Sequence, residues 1–502
     1  MKASSASTSA RRFLSALTLI SSKIPAVELP HRRLSLKSRL AWTLTILTLY
    51  FFLSNIPLFG LSPLAMELFS RWRAIFAGKI FSLTALGITP ILSASILTQI
   101  LAGRKVLKLD LSEPEEQALY LNMQKFLVVI FAALVSLTYV VVFYQPDPAL
   151  SSEFGTLTVL LLLFSEVFAG GMLIYFMDSV VSRWGIGSGV GLFILADVSQ
   201  AMFAGLVNPE MEVGYGGNLW AIGVIPRLIQ IIFMPGSIGL TGGVYEKLTI
   251  DFLFASGIIA LIATIAVFFA IIYVESMRLS VKVPGFRRRK RLLVPVKFVY
   301  FTYIFFIPLM FALDILHIIQ AIGKMLYARG ITILGTYDEW GNAESGIMYF
   351  LQPIYSPHDW IPALMATPHE PWEIALRICV DLFFMVVLGV VFALFWINTT
   401  GMGAKDVAEQ IHRSGLQIPG FRRTPATLER MLENYIPKIT VMGAAILGAL
   451  CVLANMLGTV GNATGTGLLL AVSIAYSLYQ QIASEQVMEM YPALRRFFGS
   501  GA

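Results

Sequence analysis

Long apolar runs free of Asp, Glu, Lys and Arg recur along the chain, and an α-helix needs about 20 such residues to cross a bilayer core. Residues 40–66, 80–103, 126–146, 252–274 and 439–484 carry no such charge. The last run holds Gly458, Gly461, Gly465 and Gly467 near its middle, which predicts two helices joined by a glycine-rich turn. Four more runs are each interrupted by one acid: 154–177 by Glu166, 184–206 by Asp197, 298–323 by Asp314 and 378–397 by Asp381. The total is ten spans, five before residue 207 and five after residue 250. An odd number per half turns the second half over relative to the first, as in an inverted repeat, whose functional site lies near the bilayer midplane. Residues 207–250 read as an external loop with one apolar patch, Trp220 to Met234.

Composition agrees with this pattern. Of 502 residues 57% are apolar and 13% charged, against about 45–50% and about 25% in soluble domains, so a soluble globular protein is excluded. The 37 Lys plus Arg exceed the 30 Asp plus Glu by seven, and their placement sets orientation. With the N-terminus inside, 29 of the 37 cations fall on the cytoplasmic side, which puts both termini there. Residues 1–35 then form a cytoplasmic amphipathic segment. Its short apolar run, Leu14 to Ile20, follows Arg11 and Arg12 and lacks a small-residue cleavage site, so it reads as a surface helix rather than a cleaved leader. Cys379 and Cys451 lie in apolar stretches without CxxC spacing and are expected to be buried free thiols.

Two cytoplasmic connections go beyond what orientation requires. Residues 275–297 carry Arg287, Arg288, Arg289, Lys290 and Arg291 in succession, and residues 399–438 carry Arg422 and Arg423 ahead of a helix start at Thr424-Pro425. A docking surface for a large polyanionic or acidic partner is one reading, and anionic lipid or topology alone is the other.

Chemistry-bearing motifs are few. Gly185 to Gly191 has valine where a phosphate loop needs glycine, and the sequence contains no Walker-type Gly-Lys-Ser/Thr, so a tight interhelical turn is expected. The five histidines are scattered without metal-ligand spacing, and no Gly-x-Ser-x-Gly elbow occurs. No catalytic residue, cofactor or metal is expected, and the protein reads as a non-enzyme. Gly87-Ile88-Thr89-Pro90 interrupts the second run, where a broken helix is tolerated only beside protein or a water-filled cavity. The four intramembrane acids fit helix-to-helix hydrogen bonding, a wet vestibule or a coupling-ion path, and the rival function is an inverted-repeat secondary transporter.

Taken together, several stretches resemble the SecY family of protein-translocase channels, in its archaeal and endoplasmic-reticulum form. They include LPHRRLSLKSRLAWTLTILTLYFFLSNIPLFG (29–60), LGITPILSASILTQILAG (86–103), LDLSEPEEQALYLNMQK (109–125), GIGSGVGLFI (185–194), VPVKFVY (294–300), TTGMGAKDVAEQI (399–411), PGFRRTPATLERMLENYIPKIT (419–440) and GTGLLLAVSIAY (465–476). The resemblance implies an all-α polytopic membrane protein, with ten transmembrane helices in two inverted five-helix halves, 36–206 and 251–484, around a central hourglass pore. A cytoplasmic tail, 485–502, follows. It further implies a ring of Ile88, Leu92, Val190, Ile194, Ile307 and Leu470 at the pore waist. A plug at about 62–73 would present Leu64, Met66, Leu68 and Phe69, and a lateral gate would have Asp314 and His317 as its polar candidates. The ribosome would dock on Arg287, Arg288, Arg289, Lys290, Arg291, Arg422 and Arg423. Implied partners are SecE-type and SecG/Secβ-type small membrane subunits, the translating ribosome, signal sequences and nascent chains, and membrane lipid. The implied location is the plasma membrane. Gln117 stands where the family commonly has arginine after Ser-Glu-Pro-Glu-Glu.

Overall fold

The computed structural model describes residues 25, 27–32, 34–62, 81–102, 114–213, 218–234, 250–276, 278–280, 295–297, 319–320, 322–327, 329–337, 343–362, 365, 369–399, 403–405, 408, 425–462 and 464–490. These residues are overwhelmingly helical. In chain order the helices are α1 (Leu36–Ser54), α2 (Thr89–Ala102), α3 (Pro114–Thr138), α4 (Pro148–Phe154), α5 (Thr156–Trp184), α6 (Gly189–Val207), α7 (Val224–Phe233), α8 (Ile250–Ala255) and α9 (Ile258–Ser276). They continue with α10 (Gly346–Leu351), α11 (Pro371–Thr399), α12 (Pro425–Leu457) and α13 (Gly465–Met490). Two short antiparallel pairs accompany them: β1 (Met211–Val213) with β2 (Leu219–Ala221), and β3 (Arg278–Ser280) with β4 (Pro295–Lys297). Among the described residues five helical stretches are long and apolar enough to cross a membrane: Glu115–Val141, Thr156–Trp184, Gly189–Val207, Pro371–Phe395 and Leu432–Leu457.

Among the described residues apolar runs and helices largely coincide, but the run 252–274 is broken between α8 and α9, where Gly257 takes φ 78°, and two further runs extend beyond their helices. The run 40–66 stops being helical at Ser54. Asn55 turns its side chain back to the Phe51 carbonyl (2.7 Å), and Pro57 then pairs in a β-bridge with Ser82. The run 80–103 becomes helical only at Thr89, because Gly87 takes φ 54° and Pro90 suits the first turn of a helix but not its interior. The expected glycine-rich turn does separate two helices. α12 ends at Leu457, Gly461 has φ 80°, and α13 begins at Gly465, where Asn455 Oδ1 accepts from the Gly465 N–H at 2.6 Å. The expected tight turn at 185–188 likewise joins α5 to α6.

The chain divides into two compact units, one running to Ala204 and resuming at Ile474, the other from Gly205 to Ser473. In the first, Ile46, Tyr50 and Leu53 of α1 pack with Ile91 and Ala94 of α2, Val128 of α3, Ile174 and Val181 of α5, and Leu192 and Phe193 of α6. Hydrogen bonds tie both ends of this bundle. At one end Arg39 of α1 donates to the Gly185 carbonyl (2.8 Å) and pairs with Glu485 of α13, while the Leu36 N–H donates to Glu489 (2.8 Å). At the other, Leu58 and Ser62 donate their N–H groups to the carbonyls of Phe81 and Gln145 (both 3.0 Å), and Asp147 donates to the Gly60 carbonyl (2.9 Å). Helix starts and ends therefore alternate between the two ends, as an up-and-down membrane bundle requires.

In the second unit α11 packs along α12, and α12 against α9. Thr264 of α9 accepts from the Val460 N–H (3.1 Å), and Trp360 donates to the Met456 carbonyl (2.9 Å). Cys451 is buried here, bonded to Thr466 at 2.8 Å, whereas Cys379 is exposed and does not match the buried-thiol expectation. It lies on an exposed side of α11, a face whose apolar residues include Leu382 and Phe383.

Candidate functional site

Four of the six residues expected at the pore waist lie in the first unit, arranged as two i, i+4 pairs. Ile88 and Leu92 bracket the first turn of α2, and the Leu92 N–H donates to the Ile88 carbonyl (3.0 Å). Val190 and Ile194 occupy the first turns of α6. All four are half-buried, whereas Ile91, Leu192 and Phe193 beside them are buried in the core, against which Ile88 and Val190 also pack. Residues four apart share a helix face. Each pair thus presents aliphatic side chains on a partly open face while its neighbours anchor the helix from behind.

The anchoring is specific. The N–H of Val190, in the first turn of α6, takes its acceptor from another helix. Asp178, three turns back in sequence on α5, fills that role: its Oδ1 accepts from the Val190 N–H at 2.9 Å, and Gly189 N–H and Ser182 also hydrogen-bond to it. A carboxyl at a helix N-terminus satisfies donors that the helix itself cannot. Asp178→Ala leaves those donors buried and unpaired, a loss of about 1–3 kcal/mol. The expected result is a lower unfolding temperature in detergent, and Asp178→Asn, which keeps an acceptor, should recover part of it.

Gly170 and Gly171 of α5 fix the other pair. A Cβ at Gly170 would overlap the Leu83 carbonyl oxygen, and one at Gly171 would stand 2.7 Å from Leu86 Cδ2. The absence of side chains lets α5 touch the backbone of residues 83–86, the segment that delivers Ile88.

The three described intramembrane acids all hold structural hydrogen bonds. Tyr50 is fully buried, stacks on Phe193 at 4.5 Å and donates to Asp197 (2.8 Å). Glu166 accepts from the Phe59 N–H (2.9 Å), and Asp381 from the Ile354 N–H (3.2 Å). Of these bonds only Tyr50–Asp197 joins two helices; Glu166 and Asp381 accept from non-helical backbone beside their helices. Arg377, one turn before Asp381, is not among the candidates that the sequence singles out. It is 5% exposed, donates to the Gln352 and Asp359 carbonyls (3.4 and 3.3 Å) and lies 4.7 Å over the Tyr349 ring. Its i, i+4 spacing from Asp381 beside an apolar run is the available signal.

Leu470 is buried in α13, in the second unit. Ile307, the plug residues Leu64, Met66, Leu68 and Phe69, the gate candidates Asp314 and His317, and the seven docking cations from Arg287 to Arg291 and at Arg422 and Arg423 lie outside the described residues. The docking segments are framed by described structure: β3 and β4 pair Arg278 with Lys297, and α12 begins at Pro425 as its Thr-Pro signal predicts.

Known proteins resemble the chain over nearly its whole length. The SecY family profile matches residues 82–479, and a second profile, the plug domain of Sec61p, matches residues 49–80. The protein translocase subunit SecY of Archaeoglobus fulgidus is 43% identical over 96% of this chain and 97% of its own length. A solved SecY structure, described as one whose plug domain stabilises the closed translocation channel and maintains a membrane seal, superposes with TM-score 0.69 at 33% identity, covering 94% of this chain and 98% of that one. Sec61 in the canine ribosome-channel complex from the endoplasmic reticulum superposes with TM-score 0.65 at 32% identity, over 94% and 98% of the two chains.

Proposed function

Because the chain belongs to the SecY family, we propose that it is the central subunit of a protein-conducting channel, moving signal-bearing polypeptides across the membrane and releasing their apolar helices sideways into lipid. It has the helices to reside in a membrane. In the finer reading, ten helices form two inverted halves, 36–206 and 251–484, in the plasma membrane with both termini cytoplasmic. Ile88, Leu92, Val190, Ile194, Ile307 and Leu470 close the waist, and a plug at about 62–73 seals it from outside. The single observation that supports this most is the pair of half-exposed aliphatic faces, Ile88/Leu92 and Val190/Ile194, each backed by buried core. A narrow aliphatic collar excludes water and ions yet deforms around a passing chain. The match of residues 49–80 to the plug profile supports the plug assignment.

The channel supplies no catalysis in this reading and is driven by a partner such as the translating ribosome, with SecE-type and SecG/Secβ-type subunits beside it. Photocrosslinking from Ile194 and Leu470 to a stalled, signal-bearing nascent chain is expected to give adducts at both positions. A secondary transporter would give none, and that result rejects the reading.

The cationic connections would dock ribosomal RNA phosphates. Arg287→Glu with Arg422→Glu is expected to weaken ribosome binding and to flatten its dependence on salt, since each lost phosphate contact removes about 0.7–0.9 from the log–log slope. Identical binding curves across a salt series would remove these arginines from the docking surface.

A further inference from the structure

The loop between α6 and α9 contains a helix built inside out. In a helix against a water-soluble surface the polar side chains face outward and the apolar ones inward. α7 does the reverse. Its inward face holds Arg227 and Gln230 with Val224 and Ile231. Arg227 donates to the carbonyls of Ala221 (2.7 Å), Ile222 (3.2 Å) and Ala255 (2.8 Å). Gln230 accepts from the Ala221 N–H (3.0 Å) and donates to the Leu219 carbonyl (2.8 Å), both on β2. Its outward face holds Ile225, Ile229, Ile232 and Phe233, between 46% and 74% exposed, followed by Met234 at 63%. Arg227 is the only charged residue in α7, and its guanidinium is occupied on the inner side.

The level of α7 in the molecule is fixed. The Gly223 N–H, at its N-cap, donates to the carbonyl of Asn208, the residue after the last turn of α6 (2.8 Å). Val224 lies beside Gly257, the residue before α9, so that a Cβ there would come within 3.1 Å of Val224 Cγ2. Arg227 also reaches Ala255 at the end of α8. The helix is therefore held between the end of α6 and the start of α9, the helices read as the fifth and sixth spans. The flanking helices also expose apolar residues, Val207 at the end of α6 and Ile262, Ile265 and Phe269 on α9.

We propose that α7 lies in the plane of the outer membrane interface, its Ile225, Ile229, Ile232 and Phe233 side chains entering the acyl boundary of the outer leaflet, so that it anchors the loop joining the two halves to lipid. The occupant of the bare face is lipid because the face is aliphatic and aromatic throughout, uncharged, and held at the end of α6 and the start of α9, two apolar helices read as spans. Burying a large apolar side chain is favourable, and an interfacial helix sinks its apolar face about 5–10 Å below the headgroups. The polar inner face is satisfied by backbone, so no polar group opposes the insertion. The inference rests on the membrane-spanning reading of the flanking helices.

The test uses the full chain reconstituted in lipid nanodiscs, with Cys379 and Cys451 replaced by serine and alanine. An environment-sensitive fluorophore is placed singly at Ile225→Cys, Phe233→Cys, Phe269→Cys and Glu210→Cys. Phe269 is a reference within a span, and Glu210 an exposed loop reference. Probes at 225 and 233 are expected to lose fluorescence to lipids carrying a nitroxide near the headgroup, more than to lipids carrying it near the chain end, and to resist aqueous iodide. The probe at 210 should be quenched by iodide. Iodide quenching at 225 and 233 equal to that at 210 overturns the proposal, and so does protection from both quenchers, which would mean that protein covers the face. Nitroxide quenching at 269 without quenching at 225 and 233 overturns the interfacial helix alone, whereas its loss at all three also overturns the spanning assignment. Either of positions 225 and 233 is decisive if the other variant fails to elute as a monodisperse species.

Discussion

Replacing Ile88, Ile194 and Ile307 together by glycine is expected to raise the resting ion conductance of the reconstituted channel in planar bilayers. The proposed collar of these residues would block ions because a narrow aliphatic constriction does not stay wet, and removing three branched side chains would widen it and admit water. A barrier lowered by about 1.4 kcal/mol corresponds to about a tenfold rise in flux, so even partial wetting is measurable. Ile88 precedes α2, so glycine there costs no helix propensity, whereas Ile194 lies within α6 and glycine costs about 1 kcal/mol. Valine at the same three positions keeps branched aliphatic side chains in place and is expected to preserve the seal. An unchanged conductance in the glycine variant would reject the ring assignment while leaving family membership intact.

The second large effect is expected at Gly170. Valine here would drive its side chain into the Leu83 carbonyl, a backbone group that cannot move aside as a flexible side chain can. Overpacking of a tight core costs about 1–3 kcal/mol, and contact with backbone places this substitution at the upper end. The displaced segment is the one that leads into Ile88. Gly170→Val should therefore lower the unfolding temperature and, in the fraction that folds, increase the resting leak. The neighbouring control is Ala169→Val, which places the same side chain on the exposed side of α5 and should be nearly silent in both measurements. Equal effects at 169 and 170 would refute the role given to close helix-to-backbone packing.

Much of this architecture is legible along the chain. Hydropathy locates α3, α5, α6, α9 and α11 through α13, because a segment that must satisfy its own backbone in lipid has little choice but to be helical. Where an apolar run is longer than its helix, at 55–62 and 81–88, local chemistry carries the correction: Asn55, Pro57 and Gly87 are all visible, but a charge-free run does not distinguish helix from apolar backbone paired with backbone. The intramembrane acids show the opposite limit. Their positions are evident, yet Asp197 acquires its meaning from Tyr50, which lies 147 residues away in sequence. Asp178 draws no notice in the sequence because it sits just beyond the end of a run, where an acid needs no explanation until Val190 is seen to depend on it.

The sequence by itself determined the membrane setting, the number of apolar runs and the family, since these follow from composition, spacing and local motifs that do not depend on how helices meet. Only the tertiary structure decided which faces are buried. It placed Ile91 and Leu192 in the core and left Ile88, Leu92, Val190 and Ile194 half-open, committed three acids to hydrogen bonds, and turned the polar side of α7 inward. In a lipid-embedded protein both the core and the outer surface are apolar, so hydrophobicity alone cannot tell one face from the other. That distinction is made by close packing and by hydrogen bonds between residues far apart in the chain.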